Sequence, residues 1–194
     1  MSIHHATPTL RRALISRNTL TSQITLVLGG VLFLAAMAQI SVPIPGSPVP
    51  VTGQTLATLL LGSAYGASLG FTTFGAYLAL GAVGAPFFAH ASHGYHVISG
   101  ATGGYLVGML AASAITGALA GRKWDQKITT AIFTMFLGNI ATFAFGLIWL
   151  HHVTAQSWSW TISKGLTPFL LGELIKIAIA STALPTLWRF VRAE

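Results

Sequence analysis

The chain has 194 residues; 53% of them are hydrophobic, only 7% are charged, and the mean hydropathy is +0.72. No Asp, Glu, Lys or Arg occurs between Arg17 and Arg122, whereas a soluble domain carries charge at about a quarter of its positions. This composition excludes a soluble domain and indicates one domain that is solvated mostly by lipid.

The net charge of +7 does not indicate a nucleic-acid-binding protein. The ten Lys and Arg residues stand in small clusters beside apolar runs rather than on one basic face. We therefore expect no nucleic-acid partner. Cysteine is absent, which excludes a disulfide framework and a thiolate metal site.

The apolar runs predict an all-α integral membrane bundle of six transmembrane helices, because a spanning helix needs roughly 20 apolar residues. A cytoplasmic tail, 1–19, should precede a single domain, 20–194. The predicted helices are 20–42, 53–64, 66–84, 103–121, 128–150 and 167–189. The first of them, with basic residues before it and Ala36-Met37-Ala38 near its end, also resembles a cleaved secretory signal.

The proline-rich segment 42–50 follows the first helix. Its prolines fix φ and remove N–H donors, so we expect a stiff, extended loop. Further along, 33 apolar residues run from Thr52 to Gly84, which is too long for one upright span. We expect two helices there, with a break within 62–68, where the residues permit a turn.

Basic clusters predict the orientation of the bundle. Positive charge favours the cytoplasmic side, so the amino terminus, the loop 122–127 and the carboxyl terminus should all face the cytoplasm. An even number of spans must then precede the loop, which supports two helices between Thr52 and Gly84.

Glycine recurs every four residues in two places. In lipid, small residues are what allow two helices to approach closely. We therefore interpret both series as helix packing surfaces rather than ligand sites. The two series are Gly62, Gly66, Gly70 and Gly100, Gly104, Gly108.

Glu173 and Lys176 form the most specific constellation in the sequence. They lie near the outer end of the last apolar run, and a spacing of three places them on one face of a helix. An ionisable side chain at this depth costs about 2.5–3.5 kcal/mol and usually faces the bundle interior. We favour a ligand-binding pair; the alternatives are an ion pair that only fixes packing and a lysine that extends to the interface.

Other polar residues give weaker indications. Thr52 is suited to capping the second predicted helix, and the Gln54 amide could point into a cavity. Histidines can bind a divalent metal, but no acid or thiol accompanies them here, so we favour exposed loop residues and predict no metal site. These histidines are His90, His93, His96, His151 and His152.

Enzyme motifs are absent from the sequence. It contains no Gly-x-Ser-x-Gly, no His-Glu-x-x-His, no P-loop and no second acid at membrane depth. We predict that the chain is not an enzyme and uses no cofactor. If it moves a solute uphill, another chain must hydrolyse the nucleotide.

Four ordered segments share their pattern with one family. They are Pro-Val-Thr-Gly-Gln-Thr-Leu at 50–56, Gly-Ala-Val-Gly-Ala-Pro-Phe-Phe-Ala at 81–89, Gly-Ala-Thr-Gly-Gly-Tyr-Leu-Val-Gly at 100–108 and Pro-Phe-Leu-Leu-Gly-Glu-Leu-Ile-Lys at 168–176. From about Ile24 to its end, the chain resembles the BioY type of biotin-binding S component from energy-coupling factor (ECF) transporters, an integral membrane family with six helices.

The resemblance implies capture of biotin from the outer face of the cell membrane by a multi-pass protein that catalyses no reaction. The partners that it implies are a transmembrane coupling subunit, the T component, and two ATPase subunits, although some S components are reported to work without dedicated partners. The predicted substrate-binding residues are Glu173, Lys176, Tyr105, Thr102, Gln54, Phe87 and His90.

Biotin carries a ureido group with two N–H donors and one carbonyl acceptor, a thioether ring and a valerate carboxylate. Glu173 could accept from the ureido N–H groups. Lys176 could donate to the ureido carbonyl, orient Glu173 or meet the carboxylate. We expect Phe87, Phe88 and Tyr105 to supply apolar and aromatic walls for the fused rings.

The chain departs from the family pattern at several positions. Glu173 stands where the family prefers Asp, Ala101 replaces Pro, Gly53 replaces a larger apolar residue, and the first helix lacks the Ala-x-x-x-Ala face that often meets the coupling subunit. Two alternatives stay open: an S component for another small molecule or for nickel or cobalt, and a non-transport intramembrane protein. Metal-type relatives have His directly after the initiator Met, where this chain has Ser2.

Overall fold

A computed structural model of the chain describes residues 9–15 and 19–193 and is mostly helical. The α-helices of this part are α1 (Leu10–Leu14), α2 (Leu20–Gln39), α3 (Gln54–Tyr65), α4 (Ala67–Ala82), α5 (Tyr95–Ser99), α6 (Gly103–Ala120), α7 (Ile128–Thr154), α8 (Trp158–Gly165) and α9 (Leu170–Ala193). Two short antiparallel strands, β1 (Ser41–Val42) and β2 (Val51–Thr52), flank the proline-rich segment. Most of the predicted tail 1–19, including Ser2 and Arg17, lies outside the described residues.

Four candidate membrane spans occur in the described ranges. They are Leu20–Gln39, Gly103–Ala120, Ile128–Thr154 and Trp158–Val191, and α4 is apolar but shorter. Large apolar side chains face outward along these helices; Leu32, Phe133 and Ile148, for example, are 62%, 63% and 64% exposed. Because an apolar surface of this extent needs lipid around it, the chain is a membrane protein.

Helix boundaries differ from the prediction where local pairing intervenes. The first long helix ends at Gln39 rather than at 42, because Ser41 pairs with Thr52 and Val42 with Val51. α7 runs on to Thr154 rather than ending at 150. The last helix starts at Leu170, after a 3₁₀ turn over Thr167–Phe169. The sequence analysis missed α1, α5 and α8, which are short.

The glycine series pack as predicted at most positions. α6 is the central helix and packs against α3, α4 and α7. A Cβ at Gly108 would lie 2.7 Å from the Cα of Thr142 on α7, and one at Gly70 would lie 3.0 Å from the Cα of Gly62. The contact at Gly108 is too close for any residue with a side chain, and the one at Gly70 leaves almost no room, so glycine sets the spacing between the helices.

Two glycines of the series have other roles. Gly66 has φ 85° and forms the break between α3 and α4, so the predicted split of the long apolar run falls at a residue in a backbone conformation that glycine adopts without strain. Gly100 lies before α6 begins, in the turn that follows α5. The prediction of a helix packing surface is therefore wrong for Gly100. Gly66 also packs closely on α6, because a Cβ at Gly117 would clash with the Gly66 backbone.

We predict that Gly108→Ala destabilises the bundle by about 1–3 kcal/mol, because the added methyl must push α6 away from α7. Thermal unfolding of the detergent-solubilised protein measures the change. Gly75→Ala is the matched control, since a Cβ at Gly75 in α4 meets nothing within 4 Å and alanine favours the helix. Equal midpoints for both variants would contradict the packing interpretation.

Candidate functional site

A partly open cavity lies where β2, α3, α6, α7 and α9 meet. Its volume is about 170 Å³, more than ten times the roughly 10–15 Å³ that one water needs. The segment 49–50 and the segment 88–92 also contribute to its wall. The lining residues are Val49, Pro50, Thr52, Gln54, Thr55, Phe88, Ala89, His90, Ser92, Val97, Thr102, Tyr105, Leu106, Met109, Thr142, Phe143, Phe169, Glu173 and Lys176.

Glu173 and Lys176 form an ion pair in the wall of this cavity. The Lys176 Nζ lies 2.7 Å from the Glu173 Oε1, and the two side chains are only 12% and 7% exposed. The ammonium also donates to the backbone carbonyl of Thr52 at 2.6 Å and to the Thr55 hydroxyl at 2.8 Å. An ammonium has three hydrogens, so every Lys176 donor is occupied within the protein.

Glu173 has one occupied oxygen and one without a partner. Oε1 accepts from Lys176 and, at 2.9 Å, from the Thr55 hydroxyl. Oε2 is buried and has no hydrogen-bond partner among the described residues. A buried carboxylate oxygen left unsatisfied is costly, so Oε2 is the acceptor that the site can offer to a ligand.

A second hydrogen-bonded chain fixes Gln54, which is 4% exposed. The Gln54 Nε2 donates to the Tyr77 hydroxyl at 2.6 Å, and Tyr77 donates to the Phe87 carbonyl at 3.1 Å. The Gln54 Oε1 accepts from the Thr52 hydroxyl at 3.1 Å. Thr52, predicted to cap this helix, also accepts from the Gln54 backbone N–H at 3.3 Å.

Three aromatic rings form one wall of the cavity. Tyr105 of α6 lies edge-on to Phe143 of α7 at 5.9 Å and is stacked with Phe169 at 6.3 Å between ring centroids. The Tyr105 hydroxyl donates to the Gly165 carbonyl at 2.8 Å, which links α6 to the end of α8. Gly146 and Gly165 have no side chains and leave room for the Tyr105 ring. The wall is therefore rigid and apolar, as ring-shaped ligands require.

The proline-rich segment 42–50 forms one side of the cavity. Val49 is buried, and Val49 and Pro50 line the cavity. The Ser47 hydroxyl donates to the Lys164 carbonyl at 2.9 Å, so the segment is attached to the end of α8. The β1–β2 pairing holds its two ends together.

The segment 87–92 closes another side. The Gln39 Nε2 donates to the Phe88 carbonyl at 3.1 Å, and the Gln39 Oε1 accepts from the Ala91 N–H at 2.9 Å. His90 and Ala91 both have positive φ, 58° and 54°, a conformation that costs energy for residues other than glycine. The His90 Nε2 lies 3.2 Å from the Ser41 hydroxyl. Bonds from α2 and β1 thus hold this segment in place.

Six of the seven predicted substrate-binding residues line the cavity; Phe87 does not. In the structure the Phe87 ring stacks on Tyr77 instead, at 6.5 Å. The neighbouring Phe88 is 2% exposed and lines the cavity in its place. The expectation that Phe87 forms part of the cavity wall is corrected accordingly, whereas Phe88, which we also expected there, does line the cavity.

Sequence reasoning missed several lining residues. Phe169 stands in the Pro-Phe segment that carries the resemblance and could have been found there. Phe143, Met109 and Thr142 lie within apolar runs, where no local signal distinguishes a residue facing the cavity from one facing lipid.

The histidines do not form a metal site in the described part of the chain. No three His, Asp, Glu or Cys side chains come together there. His151 stacks on Trp158 at 4.1 Å between ring centroids, and His90 lies beside Ser41. Among the histidines that the structure describes, His90 alone lines the cavity.

A family model described as the BioY family matches residues 8–193. The chain belongs to the BioY family. This confirms the resemblance seen in the four sequence segments and extends it to nearly the whole chain.

Relatives of this BioY chain are named as transporters. The biotin transporter BioY2 of Lactococcus lactis subsp. cremoris is 32% identical over 168 residues, which are 85% of this chain and 89% of that protein. The biotin transporter BioY of Thermotoga maritima is 34% identical over 140 residues, or 72% of this chain and 81% of that protein. The prediction that the chain is not an enzyme is confirmed.

A solved structure shares the BioY fold seen here. The crystal structure of the S-component for biotin from an ECF-type ABC transporter matches with a TM-score of 0.80 at 22% sequence identity. The match covers 90% of this chain and 95% of that one. The fold of the bundle is therefore that of an S component.

We predict that Lys176→Met lowers the unfolding free energy of the ligand-free protein by about 3 kcal/mol, because it leaves the Glu173 carboxylate buried without its cation. The double variant Glu173→Gln/Lys176→Met should recover part of the loss, since it removes the unpaired charge. Unfolding in detergent measures both proteins. A double variant less stable than Lys176→Met would contradict this account of the pair.

Proposed function

We propose that this BioY chain captures biotin with high affinity in the cavity and serves as the substrate-binding component of an ECF-type transporter. The observation that carries the proposal is the buried, unpartnered Oε2 of Glu173 in a cavity whose other polar side chains mostly bond within the protein. A ureido N–H supplies the donor that this oxygen lacks. Biotin is then bound as a substrate, and no cofactor is needed.

The roles of the ion pair follow from the hydrogen-bond count. Glu173 accepts from the ureido group through Oε2. Lys176 has no donor left for the ligand, because Thr52, Thr55 and Glu173 take all three. Its role is therefore to orient Glu173, which was one of the three roles that the sequence left open.

The remaining parts of biotin fit the rest of the lining. The fused rings pack against Phe88, Tyr105 and Phe169, and Thr102 lies in the same wall. The valerate chain extends away from the ion pair, because the carboxylate avoids Glu173. His90, which lines the cavity and is exposed, is the remaining basic side chain that can meet the carboxylate.

We further propose six membrane crossings, with both termini in the cytoplasm, in the cell membrane. Four spans are long enough by themselves, and α3 and α4 form the remaining two, joined at Gly66. This arrangement puts the basic loop 122–127 inside, as positive charge favours, and places the cavity toward the outer face. Coupling to a T component and two ATPase subunits follows from the family resemblance.

We predict that the detergent-solubilised protein binds biotin, and that Glu173→Ala or Lys176→Ala weakens binding at least about tenfold, or about 1.4 kcal/mol. Calorimetry against biotin measures the affinity. Arg189→Ala is the matched control, because Arg189 is exposed at the other end of the same helix.

Two results would contradict the proposed function. One is a wild-type protein that fails to bind biotin while folded. The other is binding of Ni²⁺ or Co²⁺ in place of biotin, which would favour a metal-type S component. If biotin binds but both α9 variants keep full affinity, the site assignment is wrong and the vitamin binds elsewhere.

The orientation gives a separate prediction. Because the chain has no cysteine, a thiol reagent reacts only with a cysteine that is introduced at one chosen position. Lys123→Cys, in the basic loop, should react with a membrane-impermeant thiol reagent only after the cells are permeabilised, whereas His93→Cys, before α5, should react in intact cells. Both native residues are exposed. Labelling from the opposite sides would invert the proposed topology.

A further inference from the structure

The hydrogen bonds around Gln54 allow its side-chain amide only one of the two orientations that exchange Nε2 and Oε1. The Tyr77 hydroxyl has a single proton, and it donates that proton to the Phe87 carbonyl, which can only accept. The hydroxyl oxygen must therefore accept from its other partner, at 2.6 Å. Only the nitrogen of the Gln54 amide can supply that hydrogen, so Nε2 faces Tyr77.

Thr52 fixes the other end of the amide consistently. Its hydroxyl accepts from the Gln54 backbone N–H at 3.3 Å and donates to Oε1 at 3.1 Å. A flipped amide would place Oε1 against the Tyr77 oxygen, whose proton is already used. Two acceptors at that distance repel each other, so Tyr77 decides the orientation.

Gln54 keeps one hydrogen to give. Its Nε2 carries two hydrogens, and the second has no partner among the described residues. The adjacent Thr55 bonds Glu173, so this donor and the free acceptor Oε2 come from the same end of the cavity.

The other hydroxyls in the lining have no proton left for a ligand. Each donates to an acceptor of the protein itself. Thr52 donates to the Gln54 Oε1, Thr55 to Glu173, Ser92 to the Ala89 carbonyl, Thr102 to the Val97 carbonyl, Tyr105 to the Gly165 carbonyl and Thr142 to the Gly138 carbonyl. With Lys176 also saturated, Gln54 and the exposed His90 are the side-chain donors that remain in the lining.

We infer that Gln54, oriented by Tyr77, donates its free N–H to the carbonyl oxygen of a neutral cyclic urea, while Glu173 accepts from the adjacent ring N–H. This inference rests on the proposed function. It adds the reason why the site prefers a ligand with a carbonyl oxygen to one with an N–H at the same position. Tyr77 is the positioning residue: it is fully buried and does not line the cavity, yet it sets whether the site presents a donor or an acceptor to that atom.

The test compares three ligands on Tyr77→Phe, which removes only the hydroxyl. Biotin and dethiobiotin both carry the urea carbonyl, whereas 2-iminobiotin carries an imine nitrogen with hydrogen in its place. In the variant Gln54 can flip. We expect the affinity for biotin and for dethiobiotin to fall together by about threefold to tenfold, as for one hydrogen bond. The affinity for 2-iminobiotin should stay nearly unchanged, so that the ratio of the biotin affinity to the 2-iminobiotin affinity falls by about threefold to tenfold.

Tyr65→Phe is the matched control. Tyr65 donates its proton to the Leu26 carbonyl at 3.0 Å and lies outside the cavity lining. Its removal costs a hydrogen bond of the same kind, but it should leave all three affinities and their ratios unchanged. Calorimetry at one fixed pH keeps the charge of 2-iminobiotin the same for every protein.

A second variant removes the other anchor of the amide. Thr52→Val keeps the shape and the backbone carbonyl that binds Lys176, but it deletes the donor to Oε1. Because Tyr77 still holds Nε2, Thr52→Val should narrow the same preference by less than Tyr77→Phe does. If Tyr77→Phe does not fold, Thr52→Val is the variant that tests the orientation of the amide. Thermal unfolding of the ligand-free proteins shows which variants are folded.

The outcomes separate this inference from the proposed function. Wild-type protein that binds none of the ureas overturns the proposed function. Wild-type protein that binds biotin, with a folded Tyr77→Phe that keeps the preference over 2-iminobiotin, overturns the role of Gln54 and Tyr77 alone. An equal fall for all three ligands in the variant would make Tyr77 a merely structural residue and would also overturn it.

Discussion

A buried carboxylate and a largely buried ammonium, one helical turn apart on α9, set the constraint on which the cavity depends. Neither charge is stable in an apolar bundle without its counter-ion and further hydrogen bonds. Lys176 obtains them from β2 and α3 through the Thr52 carbonyl and the Thr55 hydroxyl. The ion pair thus ties α9 to α3 at the place where the chain turns from the proline-rich segment into the bundle.

The apolar surroundings also explain why few polar groups of the lining are free to bind a ligand. Hydroxyls in an apolar helix bundle donate to a nearby backbone carbonyl, and Thr102, Tyr105 and Thr142 all do so. A cavity that appears to contain many polar residues therefore offers few free groups. The two polar atoms left over at the ion-pair end are one acceptor on Glu173 and one donor on Gln54. Their chemistry, rather than the number of polar residues, defines what fits.

The residues of this site that could be predicted from the sequence are polar or charged residues that interrupt an apolar run. Charged residues in an apolar run stand out, so Glu173 and Lys176 could be identified without a structure, and Gln54 stood out at the start of a helix. Side-chain direction in an irregular segment could not be predicted, which is why Phe87 was taken for a wall. Tyr77 gave no signal at all, because an aromatic residue in an apolar helix looks like ordinary core. The short pairing of β1 with β2 also escaped, since two residues carry too little periodicity.

The departures from the family pattern affect packing more than the polar groups. A Cβ at Gly53 would lie 2.7 Å from the backbone oxygen of Met37, so glycine lets β2 approach the end of α2 closely, and the larger apolar residue of the family would require a wider gap here. Glu173 is one methylene longer than aspartate, yet a single oxygen satisfies both Lys176 and Thr55. Its second oxygen, Oε2, is therefore left as the acceptor that we propose for a ureido N–H.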